Sequence, residues 1–198
     1  MNAGITADTV YEDLKALVLS GTIRPGSRLA PHRLATRLFA GVTPIREALL
    51  RLTGERLVEM KVNDGFHLPG VTESSLRDLY AWNEDVVRLS MHLAGKRGSG
   101  ELSISDDTED VAKVFQALAA ASGSQELEAQ IAACNDRLAS LRTAETEVFE
   151  DWRSEAIELG RELRVISRES ARTMHVYHTR RIKNSAKIMI ELLNTPDL

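Results

Sequence analysis

The residues best suited to chemistry lie in one short run, VTPIREALLRL at 42–52. An arginine guanidinium is a planar fork of donors that matches phosphate oxygens and the O6/N7 edge of guanine. A threonine hydroxyl beside the free amides of a first helical turn suits a phosphate. On a 3.6-residue period Ile45, Ala48, Leu49 and Leu52 share one face, while Arg46, Glu47, Leu50 and Arg51 fall away from it. Thr43 is expected to be the N-cap, with Pro44 next, where a missing N–H loses nothing. The spacing thus predicts a helix from Thr43 that turns its arginines outward near its start. The plainer reading is a solvated face on a structural helix.

Charge sharpens this. The chain has 198 residues and a formal net charge of -4, so the whole molecule is no general binder of polyanions. Yet residues 24–56 hold seven arginines (24, 28, 33, 37, 46, 51 and 56) against two glutamates (47 and 55). A local basic field inside an acidic protein fits a dedicated phosphate-contacting module.

A second set lies near the C-terminus. His175 and His178 are three apart on an apolar stripe of the last helix, and with a third donor they are able to ligate an ion. The alternative is two hydrogen-bonded core histidines. The single cysteine, Cys134, excludes an internal disulfide and any multi-thiolate metal site, and reads as a small buried hydrophobe. No nucleophile elbow, phosphate-cradling glycine loop, H-E-x-x-H or paired-carboxylate arrangement is present, so no enzyme is expected. Nothing approaches the roughly 18 consecutive apolar residues of a membrane helix, and the start lacks a secretion-signal pattern, so a cytoplasmic protein is expected.

The elements that must position these residues follow from period and punctuation. Val10, Leu14, Leu17 and Val18 mark a first helix, capped by Thr6 or Asp8 and closed by Gly21. Pro25-Gly26 is a turn, and Pro31 opens a short second helix carrying Leu34, Ala35 and Leu38 and ending near Gly41. After the helix from Thr43 the period changes to two. Val58, Met60 and Val62 alternate with Glu59 and Lys61, Asn63-Asp64-Gly65 turns, and Phe66 and Leu68 resume the apolar face. Three short helices and a hairpin make a winged helix-turn-helix.

From Thr72 the pattern is helical throughout. The stretch KRGSG, running into ELSISDD, is the clearest flexible link. Later helices carry Val111 to Leu118, Leu127 to Leu141, and Trp152 to Leu163. A final helix through Ala171, Met174, His178, Ile182 and Met189 ends before Pro196. The fold class is mainly α: a winged helix-turn-helix over 1–71, then an all-helical bundle over 72–198.

These residues resemble the GntR-type bacterial transcription regulators with an all-helical FCD effector domain. The likeness rests on G-x-x-x-P-G from Gly21 to Gly26, Leu29, Leu34-Ala35, T-P-I-R-E-A-L from Thr43 to Leu49, Leu52, Leu57-Val58 and Gly65. Looser landmarks are Leu76 to Tyr80, Val114 to Gly123 and Ala171 to His178. The resemblance implies an operator-binding homodimer whose helix from Thr43 enters the major groove and whose wing at Gly65 approaches the minor groove. Thr43, Arg46 and Gly65 match the family's DNA contacts, with His32, Arg33, Arg37 and Arg51 as further candidates. The departures are Gly41 and Val42, where the family has a hydroxyl residue and an arginine, and Pro31-His32 early in the second helix. The family's metal ligands fall on Ala112, Gln116, about Ala156 and His178, so only one donor remains and no metal or other cofactor is expected. The ligand-facing arginine becomes Asn83. A neutral polar set, Asn83, Ser90, Gln116, His175 and His178, is left as the candidate site for a small-molecule effector.

Two functions compete. One is an effector-controlled transcriptional regulator, a repressor, binding double-stranded operator DNA as a homodimer. The other is a helical dimerisation or interaction protein with weakened DNA reading and no effector.

Overall fold

The computed structural model describes residues 6–98 and 100–194. Helix α1 (Ala7–Leu19) starts where the Thr6 hydroxyl accepts the Thr9 N–H at 3.2 Å. It stops at Ser20, and Gly21 turns the chain in a left-handed conformation, φ +73°. Helix α2 (Pro31–Arg37) opens with proline as predicted but ends at Arg37, a turn short of Gly41. Leu38 leaves helical geometry and Phe39 takes φ 51°, an uncommon backbone for a bulky residue, with its ring exposed.

Helix α3 (Val42–Gly54) corrects the expected cap. Gly41 is the N-cap, in extended conformation and without a side-chain capping bond. Thr43 is the second helical residue and Pro44 the third, so the proline still falls where the amide has no intrahelical partner. Leu14, Leu34, Ile45, Leu49 and Leu52 are buried together as the core of the three helices.

Strands β1 (Glu59–Lys61) and β2 (Gly65–His67) pair antiparallel, with Met60 opposite Phe66, and Arg28 bridges to His67 as a third backbone line. The alternation expected to give a buried face does not. Met60 is 61% and Val62 90% exposed, because the hairpin projects from the body. Burial is confined to its base, at Val58 and Leu68, and to His67. The His67 Nδ1 lies 3.2 Å from the Gly26 carbonyl and its Nε2 3.0 Å from the Asp64 carboxylate.

Helix α4 (Glu73–Lys96) begins in a reciprocal capping box between Thr72 and Ser75. It is followed by α5 (Val111–Ser122), α6 (Gln125–Val148), α7 (Trp152–Glu162), α8 (Arg168–Lys183) and α9 (Ser185–Leu193). One cluster unites Val87, Val114, Phe115, Leu118, Ile131 and Leu163, and another Leu76, Tyr80, Leu138 and Ile188. The chain is therefore mainly helical, a winged helix-turn-helix followed by an all-helical domain.

Two further expectations fail for physical reasons. The segment read as a flexible link docks at its C-terminal end: Leu102 and Ile104 are buried, and the Leu102 N–H donates to the Arg164 carbonyl at 2.8 Å. Gly160 makes room for it, since a Cβ there would stand 3.1 Å from the Thr108 methyl. The single final helix is broken at Asn184, whose side-chain amide donates to the Arg180 carbonyl at 2.8 Å. Pro196 lies outside the described residues. Among the described residues no helix is long and apolar enough to cross a membrane.

Candidate nucleic-acid interface and helical-domain cavity

Helix α3 carries two faces that its sequence dictates. Ile45, Ala48, Leu49 and Leu52 are buried. Thr43, Arg46, Glu47 and Leu50 recur at three, one and three and are exposed as one stripe. Among the described residues no carboxylate lies within ion-pair distance of Arg46, Arg33 or Arg37, so these guanidiniums have no internal charge partner. His32 and Arg33 are exposed on the first turn of α2 and Arg37 on its last. Gly65 has φ +84° at the hairpin turn, with open space around it. Backbone conformation rather than crowding is what selects glycine there.

Arg51 is different. Its guanidinium sits 3.6 Å from the centroid of the Tyr11 ring, and its nitrogens lie 3.8 Å from Glu55 and 3.6 Å from Asp8. It is held along the body of the module rather than projected with Arg46. Beyond it the Tyr11 hydroxyl donates to Glu55 at 2.6 Å, and Lys15 joins Glu55 at 3.0 Å to Asp136 of α6 at 2.7 Å. Burial by itself would lower the Lys15 pKa, but hydrogen bonds to Asp136 and Glu55 overcome that and hold it well above the usual lysine range. One chain of contacts thus runs from the end of α3 to the helical domain.

The five polar candidates of the helical domain do not form one cavity lining. Asn83 and His178 meet in the interior, with the Asn83 side-chain oxygen 3.0 Å from His178 Nε2. The imidazole Nδ1–H donates to the Met174 carbonyl at 2.9 Å, and the ring stacks on Phe115 at 5.4 Å between centroids. Burial pushes the His178 pKa down to about 3, with Arg181 and Arg142 adding to the effect. An uncharged imidazole that donates from Nδ1 has only a lone pair at Nε2. The pair is completed when the Asn83 amide presents its NH2, a group otherwise buried without a partner.

His175 is not inward. It is exposed on α8 and pairs with Glu84 at 2.7 Å. Ser90 is buried but its hydroxyl donates to the Val86 carbonyl of its own helix at 2.9 Å, and Gln116 is half-buried. Among the described residues no three His, Cys, Asp or Glu side chains are grouped to hold a metal ion. Cys134 is buried and its thiol pKa is raised by that burial.

Sequence reasoning missed a neighbouring group. Arg181 is buried with its Nε donating to Glu145 at 2.8 Å, an NH2 donating to Glu155 at 2.8 Å, and its guanidinium 3.4 Å from the Tyr177 centroid. The Tyr80 hydroxyl donates to the same Glu145 at 2.7 Å. Burial alone would lower the Arg181 pKa; Tyr177, Glu145 and Glu155 reverse this and hold the guanidinium charged. Burial pushes Tyr177 up to about 12. This network floors a cavity of about 500 Å³, rimmed by Asp107, Glu109, Lys113, Arg142 and Trp152. The only signal in sequence was an arginine one helical turn after Tyr177 on an otherwise inward stripe.

Against known proteins, residues 6–68 match the family model "Bacterial regulatory proteins, gntR family". The HTH-type transcriptional repressor GlaR of Escherichia coli (strain K12) is 32% identical over 97 residues, 49% of this chain and 44% of that protein. The gluconate operon transcriptional repressor of Bacillus licheniformis is 27% identical over 104 residues, 52% of this chain and 40% of that one. Each alignment thus spans less than half of the curated relative's own length. Among solved structures, E. coli McbR/YncC superposes over 95% of this chain and 98% of its own, with TM-score 0.66 and 21% identity. A GntR regulator from Rhodococcus sp. RHA1 covers 91% of this chain and 97% of its own, with TM-score 0.59 and 16% identity. The overall fold is therefore shared with both. The likeness to the gntR family of bacterial regulatory proteins thus rests on residues 6–68.

Proposed function

We propose that the protein is a dimeric, DNA-binding transcriptional repressor, working in the cytoplasm, with domains at 1–71 and 72–198. The observation that carries this is the exposed Thr43, Arg46, Glu47 and Leu50 stripe, set on a fully buried opposite face and flanked by unpaired Arg33 and Arg37. A helix held rigidly by its core and bare on its polar side is built to enter a major groove. Thr43 and the free amides of the first turn meet phosphate, Arg46 a guanine edge or phosphate, and the wing turn at Gly65 the sugar edge. His32, Arg33 and Arg37 supply phosphate contacts, and Arg51 orients α3 against Tyr11. Repression is the sign suggested by GlaR and the gluconate operon repressor.

The effector is a small molecule with both polar and apolar parts. Its site is the 500 Å³ cavity over Arg181 and Tyr177 rather than the Asn83, Ser90, Gln116, His175 and His178 set, which is spent on internal bonds or solvent. The two halves of the assembly meet through α4, where Trp82 and Leu89, seven residues apart, are each 48% exposed.

The test is fluorescence anisotropy on a duplex from the gene's own upstream region across a salt series. Arg46→Ala is expected to weaken binding by about 1 to 3 kcal/mol, and wild-type affinity to fall steeply with salt. Unchanged occupancy by Arg46→Ala would refute the reading. A second reading, an interaction protein with weakened DNA specificity, is favoured by Arg51 lying along the module and by Val42 in the first turn. It predicts equal affinity for the promoter and for random duplex.

A further inference from the structure

The seam between the winged module and the helical domain is not fully packed. A cavity of about 170 Å³ lies there, lined by Val18, Leu57 and Leu68 on one side and by Leu76, Leu79 and Leu141 on the other. The connector, residues 69–71, forms part of its wall. One water needs roughly 10 to 15 Å³ on the same measure, so the space takes a molecule of several heavy atoms. Its walls are largely apolar, which favours such a molecule over water.

Two cations stand at this apolar space. Arg56, at φ 61° just after α3, and Arg137 of α6 both line it, and among the described residues neither has a carboxylate within ion-pair distance. Asp136 also lines it, but its charge is engaged by Lys15 at 2.7 Å. Ser75 and Ser140 are the remaining polar wall residues on the helical side.

From this we infer that the seam is a binding site for a compact apolar monocarboxylate. The ligand's hydrocarbon part fills the space among the six aliphatic side chains. Its carboxylate takes the guanidiniums of Arg56 and Arg137, a charge-assisted contact of the stronger kind. The site differs from the cavity over Arg181, which lies among α5, α6, α7 and α8. An occupant touches the end of α3, the connector and α6 together, next to the Lys15 link between the domains. It therefore fixes the angle at which the reading head is held, and any effect on operator binding rests on the DNA reading above. The binding itself does not.

Calorimetric titration of the full chain with cyclohexanecarboxylate tests it, with cyclohexylamine and cyclohexanol as probes of equal shape. Saturable binding of one carboxylate per chain is expected, at least tenfold tighter than either control. Arg56→Gln/Arg137→Gln is expected to lose at least tenfold in affinity while keeping the wild-type circular dichroism and melting temperature without ligand. No saturable binding, equal binding of the amine or alcohol, or full affinity in the double variant would each overturn the inference. Failure of promoter anisotropy with carboxylate binding intact would instead count against the DNA reading alone.

Discussion

His178 shows how one side chain is set by its surroundings. The imidazole is neutral in the folded protein, with its pKa near 3 because burial opposes the charge, while in an unfolded chain it titrates near 6.5. Between those values the unfolded state binds a proton that the folded state does not, so stability falls as pH drops through that window. The slope from this one group is about 1.4 kcal/mol per pH unit. Urea unfolding at pH 7, 6 and 5 is expected to show wild type losing stability faster than His178→Gln below pH 6.5, and parallel curves would refute it. At this scale the sequence was half legible. The outward side of Thr43 and Arg46 was legible because helical period is local, and 100° per residue fixes which side they take. His175 was misplaced because three residues leave a 60° offset from His178, enough to carry it from the core edge to Glu84 and solvent. The contact of Arg51 with Tyr11 was not legible because Tyr11 belongs to another helix and no local rule brings the two together.

Helices α4, α6, α7 and α8 are tied by charge as well as by apolar packing. Arg181 reaches Glu145 and Glu155, and Tyr80 reaches Glu145, so one buried group addresses three other helices. Arg181→Ala leaves Glu145 buried without its counter-charge, and removing one partner of such a pair costs about 3 to 5 kcal/mol. Denaturant unfolding is expected to show that loss; a change below about 1 kcal/mol would mean water replaces the guanidinium at little cost. Arg181→Met/Glu145→Leu, which removes both charges, is expected to recover much of it. The helices themselves were readable from their apolar periods and from a start near Thr72, whereas the caps at Asp110, Ser124 and Ser167 emerge only in the structure. What was not readable was tertiary: the docking of Leu102 and Ile104 beside Gly160, and the break at Asn184, where Ser185 is drawn in to accept from Arg77 at 3.1 Å. The wing failed similarly, since a period of two predicts a face but not whether anything covers it.

For the whole molecule the proposed function turns on how two reading heads would be set apart. A single winged module of this size makes few base contacts, and operator recognition at useful affinity needs two half-sites read by a twofold assembly. Under that proposal the exposed apolar face of α4 is the part of the bundle best suited to supply the twofold contact. Trp82 and Leu89 are large, half-exposed and on one side of a 24-residue helix, and tryptophan is favoured at the centres of protein interfaces. Replacing both with charge, Trp82→Glu/Leu89→Glu, leaves the buried face of α4 untouched, so the fold is expected to persist. Sedimentation velocity is expected to give a dimer for wild type and a monomer for the double variant. Because two linked heads gain from each other's binding through effective concentration, the monomer is expected to lose at least a hundredfold in affinity for a paired operator. On a single half-site duplex the two proteins are expected to bind alike, since each head contributes its own contacts there. A double variant that stays dimeric would move the contact to another face, whereas a monomer with full affinity for the paired operator would remove the need for twofold assembly altogether.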